Sequence, residues 1–304
     1  MNVSKLTALC TSLVAITCFA LPVNAGLVHS LDPDYVDSNG QGYLDRAALH
    51  PYVGFMEGLN SGTVDGHASW NWIDAHWGLM SAHQIVDNSR NYLFDSYDFG
   101  LGSNYLTNRG SEIRAAAEFF IHPSYNAVGN GYDLALIRFD SPFASITPVS
   151  LFTGTVAVGM ESDIVGYGLA MEVESTERLQ TGNKMAGNNL IRSLDVFPGY
   201  AQTTFDRPGH SQYRELGMGG LPGDSGGSLI VGDELAGISS FTSTRDTYGR
   251  STYYSLIDLD WVSTTMASHP SAVPEPSSLL FLLAAAPTIA FVRKRKAVSL
   301  NQAA

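Results

Sequence analysis

Leu221-Pro222-Gly223-Asp224-Ser225-Gly226-Gly227-Ser228 decides how this 304-residue chain is read. A serine flanked by glycines can be held on a tight turn, because Gly223 and Gly226 tolerate backbone angles that a β-carbon resists. The same glycines let a carbonyl approach the hydroxyl and nearby backbone N–H groups, the donors a tetrahedral oxyanion needs. Gly, Asp and Ser are also ordinary turn residues, so the octapeptide takes its meaning from partners elsewhere. A serine hydroxyl needs a base, and the base needs a third group to fix its tautomer. Upstream stand Leu79-Met80-Ser81-Ala82-His83 and Tyr132-Asp133-Leu134-Ala135-Leu136-Ile137. An aspartate opening an apolar run is costly to bury unless hydrogen-bonded, and pairing with His83 removes that cost.

In these motifs, and in their order His, Asp, Ser, the chain resembles the chymotrypsin-like (trypsin-fold) serine peptidases over residues 52–267. The resemblance implies an all-β fold of two six-stranded antiparallel barrels with a C-terminal helix. It also implies that Ser225 attacks a peptide or ester carbonyl, that His83 takes its proton and that Asp133 orients His83. Backbone N–H groups of Gly223 and Ser225 would form the oxyanion hole, with neither metal nor organic cofactor. Glu118–Tyr125 is similar to the family segment before the aspartate, and Ile164-Val165-Gly166-Tyr167-Gly168 to its Gly-Trp-Gly strand. Ala236–Phe241 resembles the strand that pairs with substrate: Ser240 takes the place of a serine bonded to the triad aspartate, and Phe241 replaces a tryptophan. Counting back from Ser225, the pocket floor falls on Gly219, where a trypsin-type enzyme carries aspartate. Thr242 and Ser251 align with wall positions that are glycine in wide pockets, which implies a small or medium uncharged residue before the cut. In the family a newly freed N-terminus pairs with the aspartate before the serine, here Asp224, and Tyr52-Val53-Gly54-Phe55 is a faint candidate for it.

Other histidines compete weakly. His76 falls in the turn before Trp77-Gly78-Leu79-Met80, and His122 has no second metal ligand at zincin spacing. Runs rich in Val, Ile, Tyr, Phe and Thr between turns favour β structure, and Ile257, Trp261, Val262, Thr265 and Met266 fit one helical face. Residues 171–189 read as a polar surface loop, and Ile146–Val149 as the crossover between barrels. A net charge of −12 with 15% charged residues argues against nucleic acid as a partner.

Both ends carry targeting patterns. Residues 1–25 read as a secretory signal: Lys5, an apolar run from Leu6 to Leu21, and Val23-Asn24-Ala25 as a cleavage site before Gly26. Cys10 and Cys18 both lie inside it, so the exported chain would lack disulfides, unlike animal members of the family. Residues 26–51 read as a polar N-terminal extension or propeptide; Asp37–Gly42 begins like a calcium loop, but Ala48 stands where the twelfth-position Glu belongs, and a solvated loop is the preferred reading. After the peptidase region (52–270), residues 271–296 resemble a PEP-CTERM sorting signal of Gram-negative bacteria: Pro274-Glu275-Pro276, an apolar segment 279–292, then Arg293-Lys294-Arg295-Lys296. Residues 297–304 are a short tail. The resemblance implies transient membrane anchoring by that segment, cutting by an exosortase-type transpeptidase and release to the outer surface or matrix. A plain C-terminal anchor is the competing reading. Without residues 1–25 and 274–304 the chain keeps 12 of 17 Lys and Arg and 28 of 29 acids, a net charge of −16. Two function classes follow: an exported serine endopeptidase, or a non-catalytic trypsin-fold matrix or binding protein. An esterase using the same three residues is a narrower third.

Overall fold

The computed structural model describes residues 26–29, 40–173 and 175–270. The chain opens with β1 (Gly26–Val28) and α1 (Gln41–Ala48). Seven strands follow: β2 (Val53–Asn60), β3 (Thr63–Asp74), β4 (Trp77–Met80), β5 (Ser96–Gly100), β6 (Ile113–Ala115), β7 (Glu118–Ile121) and β8 (Ala135–Arg138). They form one sheet in the order β6-β5-β2-β3-β4-β8-β7. The period of two along a strand sets its faces. On β3, Ala68, Trp70 and Trp72 enter the core with Met56, Phe99, Ile137 and Phe139, while Ser69 and Asn71 are buried on the opposite side.

The second half contains β9 (Glu161–Gly166), β10 (Ala170–Glu172), β11 (Met185–Ser193), β12 (Tyr200–Thr204), β13 (Met218–Gly219), β14 (Ser228–Val231), β15 (Glu234–Thr242) and β16 (Ser251–Leu256), then α2 (Leu259–Ser268). Six of these close a barrel in the order β11-β12-β16-β15-β14-β9 around Ile164, Met185, Ile191, Leu229 and Tyr254. The crossover enters it where Val149 N–H donates to Trp72 O and Phe152 N–H to Leu235 O. On α2 Leu259, Trp261, Val262, Thr265 and Met266 are the less exposed positions, the expected face together with Leu259. One compact unit ends at Thr265; of the second, from Met266 onward, residues 266–270 are described.

The expectation of two closed six-stranded barrels is corrected: one half is a closed barrel, the other a seven-stranded half-barrel. The physical reason lies at the open edges. β6 and β7 have only three and four residues. They are joined in sequence by Ala116, whose N–H donates to Tyr97 O of β5 at 3.4 Å, and Ala117, whose N–H donates to Arg138 O of β8 at 2.8 Å, so each short strand pairs outward and no ladder joins β6 to β7.

Two stretches read as surface are part of the packed body. Leu27 and Val28 are buried, because β1 lies between β10, to which it is parallel, and β13, to which it is antiparallel. Helix α1 buries Tyr43 and Ala47, four residues apart on one face; Tyr43 Oη donates to Gly217 O, and Arg46 and His50 both reach Asp163. Asp37 and Asn39, of the stretch resembling a calcium loop, lie outside the described residues, as do residues 1–25 and 271–304, where the export and sorting patterns fall. Tyr52 lies in the turn before β2, and Val53 opens that strand inside the sheet, paired with Asn71. The expected loop 171–189 is likewise corrected: Met171 and Val173 are buried, and β11 starts at Met185.

Lys184, just before β11, is the sole lysine between Lys5 and Lys294. It is buried, with Nζ donating to His50 O (2.8 Å) and Val53 O (3.2 Å). Burial lowers its pKa from 10.5 to about 7. Between those values the unfolded chain binds the extra proton, so stability rises with pH across the window. The denaturant midpoint should therefore climb from pH 7 toward 10, and Lys184→Met should flatten that climb. His50 O keeps Val53 N–H as a donor, and the Tyr167 hydroxyl, shared with Gly102 O, lies 3.2 Å from Val53 O, so the variant should still fold.

Candidate active site

Ser225 sits where the barrel meets the half-barrel, on a turn pinned from both sides. Its carbonyl accepts from Ser69 N–H of β3 at 2.9 Å, and Gly226 N–H donates to Ser239 O of β15 at 2.8 Å. Gly223 and Gly226 have φ of +97° and +83°, as the glycine pattern requires; a Cβ at Gly226 would overlap Ser69 O. Ser69 Oγ donates to Gly223 O and accepts from Tyr167 N–H. Asn71, fully buried, donates to both Gly226 O and Leu79 O and accepts from Ser228 Oγ, tying the serine turn to the strand that leads to His83. Among the described residues the N–H groups of Gly223 and Ser225 have no acceptor, and both belong to the turn that carries the hydroxyl.

His83 lies on a short 3-10 turn (Ala82–Gln84) after β4. Its Nε2 is 3.0 Å from Ser225 Oγ, and its Nδ1 is 2.7 Å from Asp133 Oδ2. Asp133 follows Tyr132, a non-glycine residue at φ +56°, and has no exposure to water. Its carboxylate accepts from His83 N–H (2.9 Å), His83 Nδ1–H and Ser240 Oγ–H. Burial works to raise the Asp133 pKa, but the charge and hydrogen bonds of His83, with the bond from Ser240, outweigh it and hold the carboxyl below its ordinary value. With Nδ1–H committed to the carboxylate, the neutral imidazole presents its Nε2 lone pair toward Ser225. The three residues singled out in sequence are thus brought together, and Ser240 joins them through its bond to Asp133.

Asp224 points the other way. It accepts from Gly168 N–H and Leu221 N–H, both 2.8 Å, and burial pushes its pKa up to about 6, against those two bonds. No cation forms an ion pair with it among the described residues.

The residues assigned to a substrate pocket divide. Gly219, on β13, is backed by Arg250, whose Cδ would lie 3.1 Å from a Cβ there, and by Leu27 of β1. Arg250 is buried beneath the floor, donating to Gly220 O, Thr242 Oγ1, Arg245 O and Asp246 Oδ1. Thr242 Cγ2 stands on the Gly220 side. Ser251 does not: its Oγ accepts from Gln202 Nε2 on the β12 side. The neighbour Thr252 does, its Oγ1 accepting from Gly220 N–H at 2.9 Å. A Cβ on Gly220 would stand 3.0 Å from Thr252 Cγ2 and 3.1 Å from Thr242 Cγ2, so two methyls converge there. Phe241 stacks on Tyr253 at 4.5 Å, with Phe197 and Tyr200 against its edges.

Ser69, Asn71, Thr252 and Arg250 were not singled out from the sequence. Buried Asn71 between two core tryptophans carried a signal, since a polar side chain there must be hydrogen-bonded. His76 lies in the β3–β4 turn with Nδ1 on Phe139 O, and His122 is buried against Asp258 and stacked on Tyr132, both away from Ser225. Among the described residues no group of three or more His, Cys, Asp or Glu is arranged to hold a metal ion.

A profile of the trypsin family matches residues 72–262. Alpha-fibrinogenase albofibrase of Trimeresurus albolabris is 30% identical over 216 residues, covering 66% of this chain and 78% of that protein. Snake venom serine protease KN6 of Trimeresurus stejnegeri is 28% identical over 228 residues, 72% of this chain and 84% of that protein. Kallikrein 1-related peptidase b1 of Mus musculus is 26% identical over 218 residues, 65% and 79%. With the matched segment spanning both the half-barrel and the barrel around Ser225, the chain belongs to the trypsin family.

Proposed function

We propose that this protein is an exported serine endopeptidase in which Ser225, His83 and Asp133 are nucleophile, base and orienting acid. The observation that carries the reading is the continuous relay from Ser225 Oγ through His83 to a buried Asp133, beside two N–H groups with no acceptor. Ser225 Oγ attacks the scissile carbonyl as His83 Nε2 takes its proton. The N–H groups of Gly223 and Ser225 receive the oxyanion, each such donor being worth about 3 kcal/mol. The imidazolium, held by Asp133, returns the proton to the leaving amine; water then releases the acyl group by the same path. Export and sorting are read from residues 1–25 and 271–304, and we extend the proposal to them: a protein led out by its signal and cut by a sorting transpeptidase near Pro274-Glu275-Pro276.

Specificity follows from the slot. Gly219 offers no carboxylate, Arg250 brings positive charge beneath the floor, and the methyls of Thr242 and Thr252 narrow the space over Gly220. The residue before the cut is therefore small and uncharged.

The leader bears on activation. Gly26 begins β1, donates its N–H to Leu169 O at 2.7 Å, and stands beside the Gly168–Leu169 backbone that holds Asp224. Removal of residues 1–25 would create an α-ammonium there, and Asp224 is the buried carboxylate it would meet. Signal cleavage, on this reading, supplies the terminus that the family uses, and residues 26–51 are not a propeptide.

Three experiments test these parts. A fluorophosphonate probe should label the exported protein and fail on Ser225→Ala; a folded wild type that stays unlabelled would favour the binding-protein reading. A peptide library should be cut after Ala or Val, and Thr242→Gly with Thr252→Gly should shift the cut to larger residues; a wild-type preference for Phe, Arg or Glu would refute the slot argument. Asp224 with its raised pKa makes a folded chain lose stability as pH rises from 3.8 to about 6. Pairing with a free Gly26 ammonium depresses that pKa and reverses the slope. A chain starting at Gly26 should gain stability across this window and one retaining preceding residues should lose it; equal slopes would sink the activation reading.

A further inference from the structure

One more group touches the reacting nitrogen. Gln84 follows His83 on the same 3-10 turn, and its side-chain Nε2 lies 2.9 Å from His83 Nε2. It is as close to that nitrogen as Ser225 Oγ, at 3.0 Å. His83 Nδ1–H is committed to Asp133, so Nε2 carries a single in-plane lone pair and no proton. An amide N–H and a hydroxyl are both donors, and one lone pair cannot serve two donors at full strength. Every increment of bonding to Gln84 is taken from Ser225. The Gln84 amide makes no other hydrogen bond among the described residues, so no competing partner draws it off, and its half-buried position limits competition from water.

Resting on the reading of His83 as base, we propose that Gln84 is a built-in restraint on the nucleophile: its amide N–H occupies the lone pair that must accept the Ser225 proton, and it must swing away before acylation. The restraint is local and reversible. A substrate that fills the cleft excludes water and holds a carbonyl against Ser225, favouring the arrangement in which the hydroxyl alone faces Nε2. In its absence the serine is kept less reactive toward adventitious electrophiles.

The test compares wild type with Gln84→Met, which keeps the length and loses the donor, and with Gln84→Ala. In the protein as recovered after export, both variants should react with a fluorophosphonate about five-fold faster, the equivalent of one ordinary hydrogen bond released. A merely structural residue would leave the rate unchanged or lower it, and either result overturns the proposal. A second readout needs no activity. In Ser225→Ala protein carrying ¹⁵N-histidine, Gln84 is the remaining donor to Nε2, so adding Gln84→Met should move the His83 Nε2 resonance toward that of a free lone pair. An unmoved resonance overturns the contact itself. Wild type that is unreactive toward the probe, with a resonance that moves, would count against the peptidase reading while upholding the Gln84 contact.

Discussion

The architecture depends on a carboxylate with no access to water. An unpaired buried charge costs several kcal/mol, and Asp133 is held by three donors that come from both halves of the molecule: two from His83 after β4, one from Ser240 on β15. The half-barrel and the barrel must therefore meet in one register for the charge to be tolerated. The same seam carries Ser69 to the Ser225 carbonyl, Asn71 to Gly226, and Tyr167 from the end of β9 to Val53 and Gly102. Site geometry and packing of the halves are one constraint.

That seam does the work that disulfides do elsewhere. The two cysteines are Cys10 and Cys18, ahead of the folded body, so the barrel is held by burial and hydrogen bonds. Trp70, Phe99 and Phe139 pack edge to face in the half-barrel, each buried aromatic contributing on the order of 2–3 kcal/mol. A body of this size can be stable on such terms without covalent staples.

What was legible in the sequence was what short-range order encodes. His83, Asp133, Ser225 and Ser240 each sit in a motif whose residue types state their chemistry, and the strands around them alternate clearly. Thr252, beside Gly220, is not legible because one residue of register turns a strand side chain to the other face, and the loop before β16 hides the register, so the alignment points to Ser251. β1 escaped because three residues carry no period, and its partners lie about 140 and 190 residues away. Helix α1 showed only Tyr43, Leu44 and Ala47 in a polar stretch, and its burial depends on β11 and Gly217. The division of residues 113–121 into β6 and β7, one paired with β5 and the other with β8, becomes visible only when those partners are known.

Lys184 has a consequence for chemistry done on the protein from outside. Between Lys5 and Lys294 it is the sole primary amine on a side chain, and it is turned inward onto two carbonyls. Reagents that attach dyes, supports or crosslinks through lysine would find the folded surface nearly blank. The 28 carboxylates of residues 26–273 are the abundant handles, so coupling to this body is carbodiimide chemistry at its acids rather than acylation of its amines.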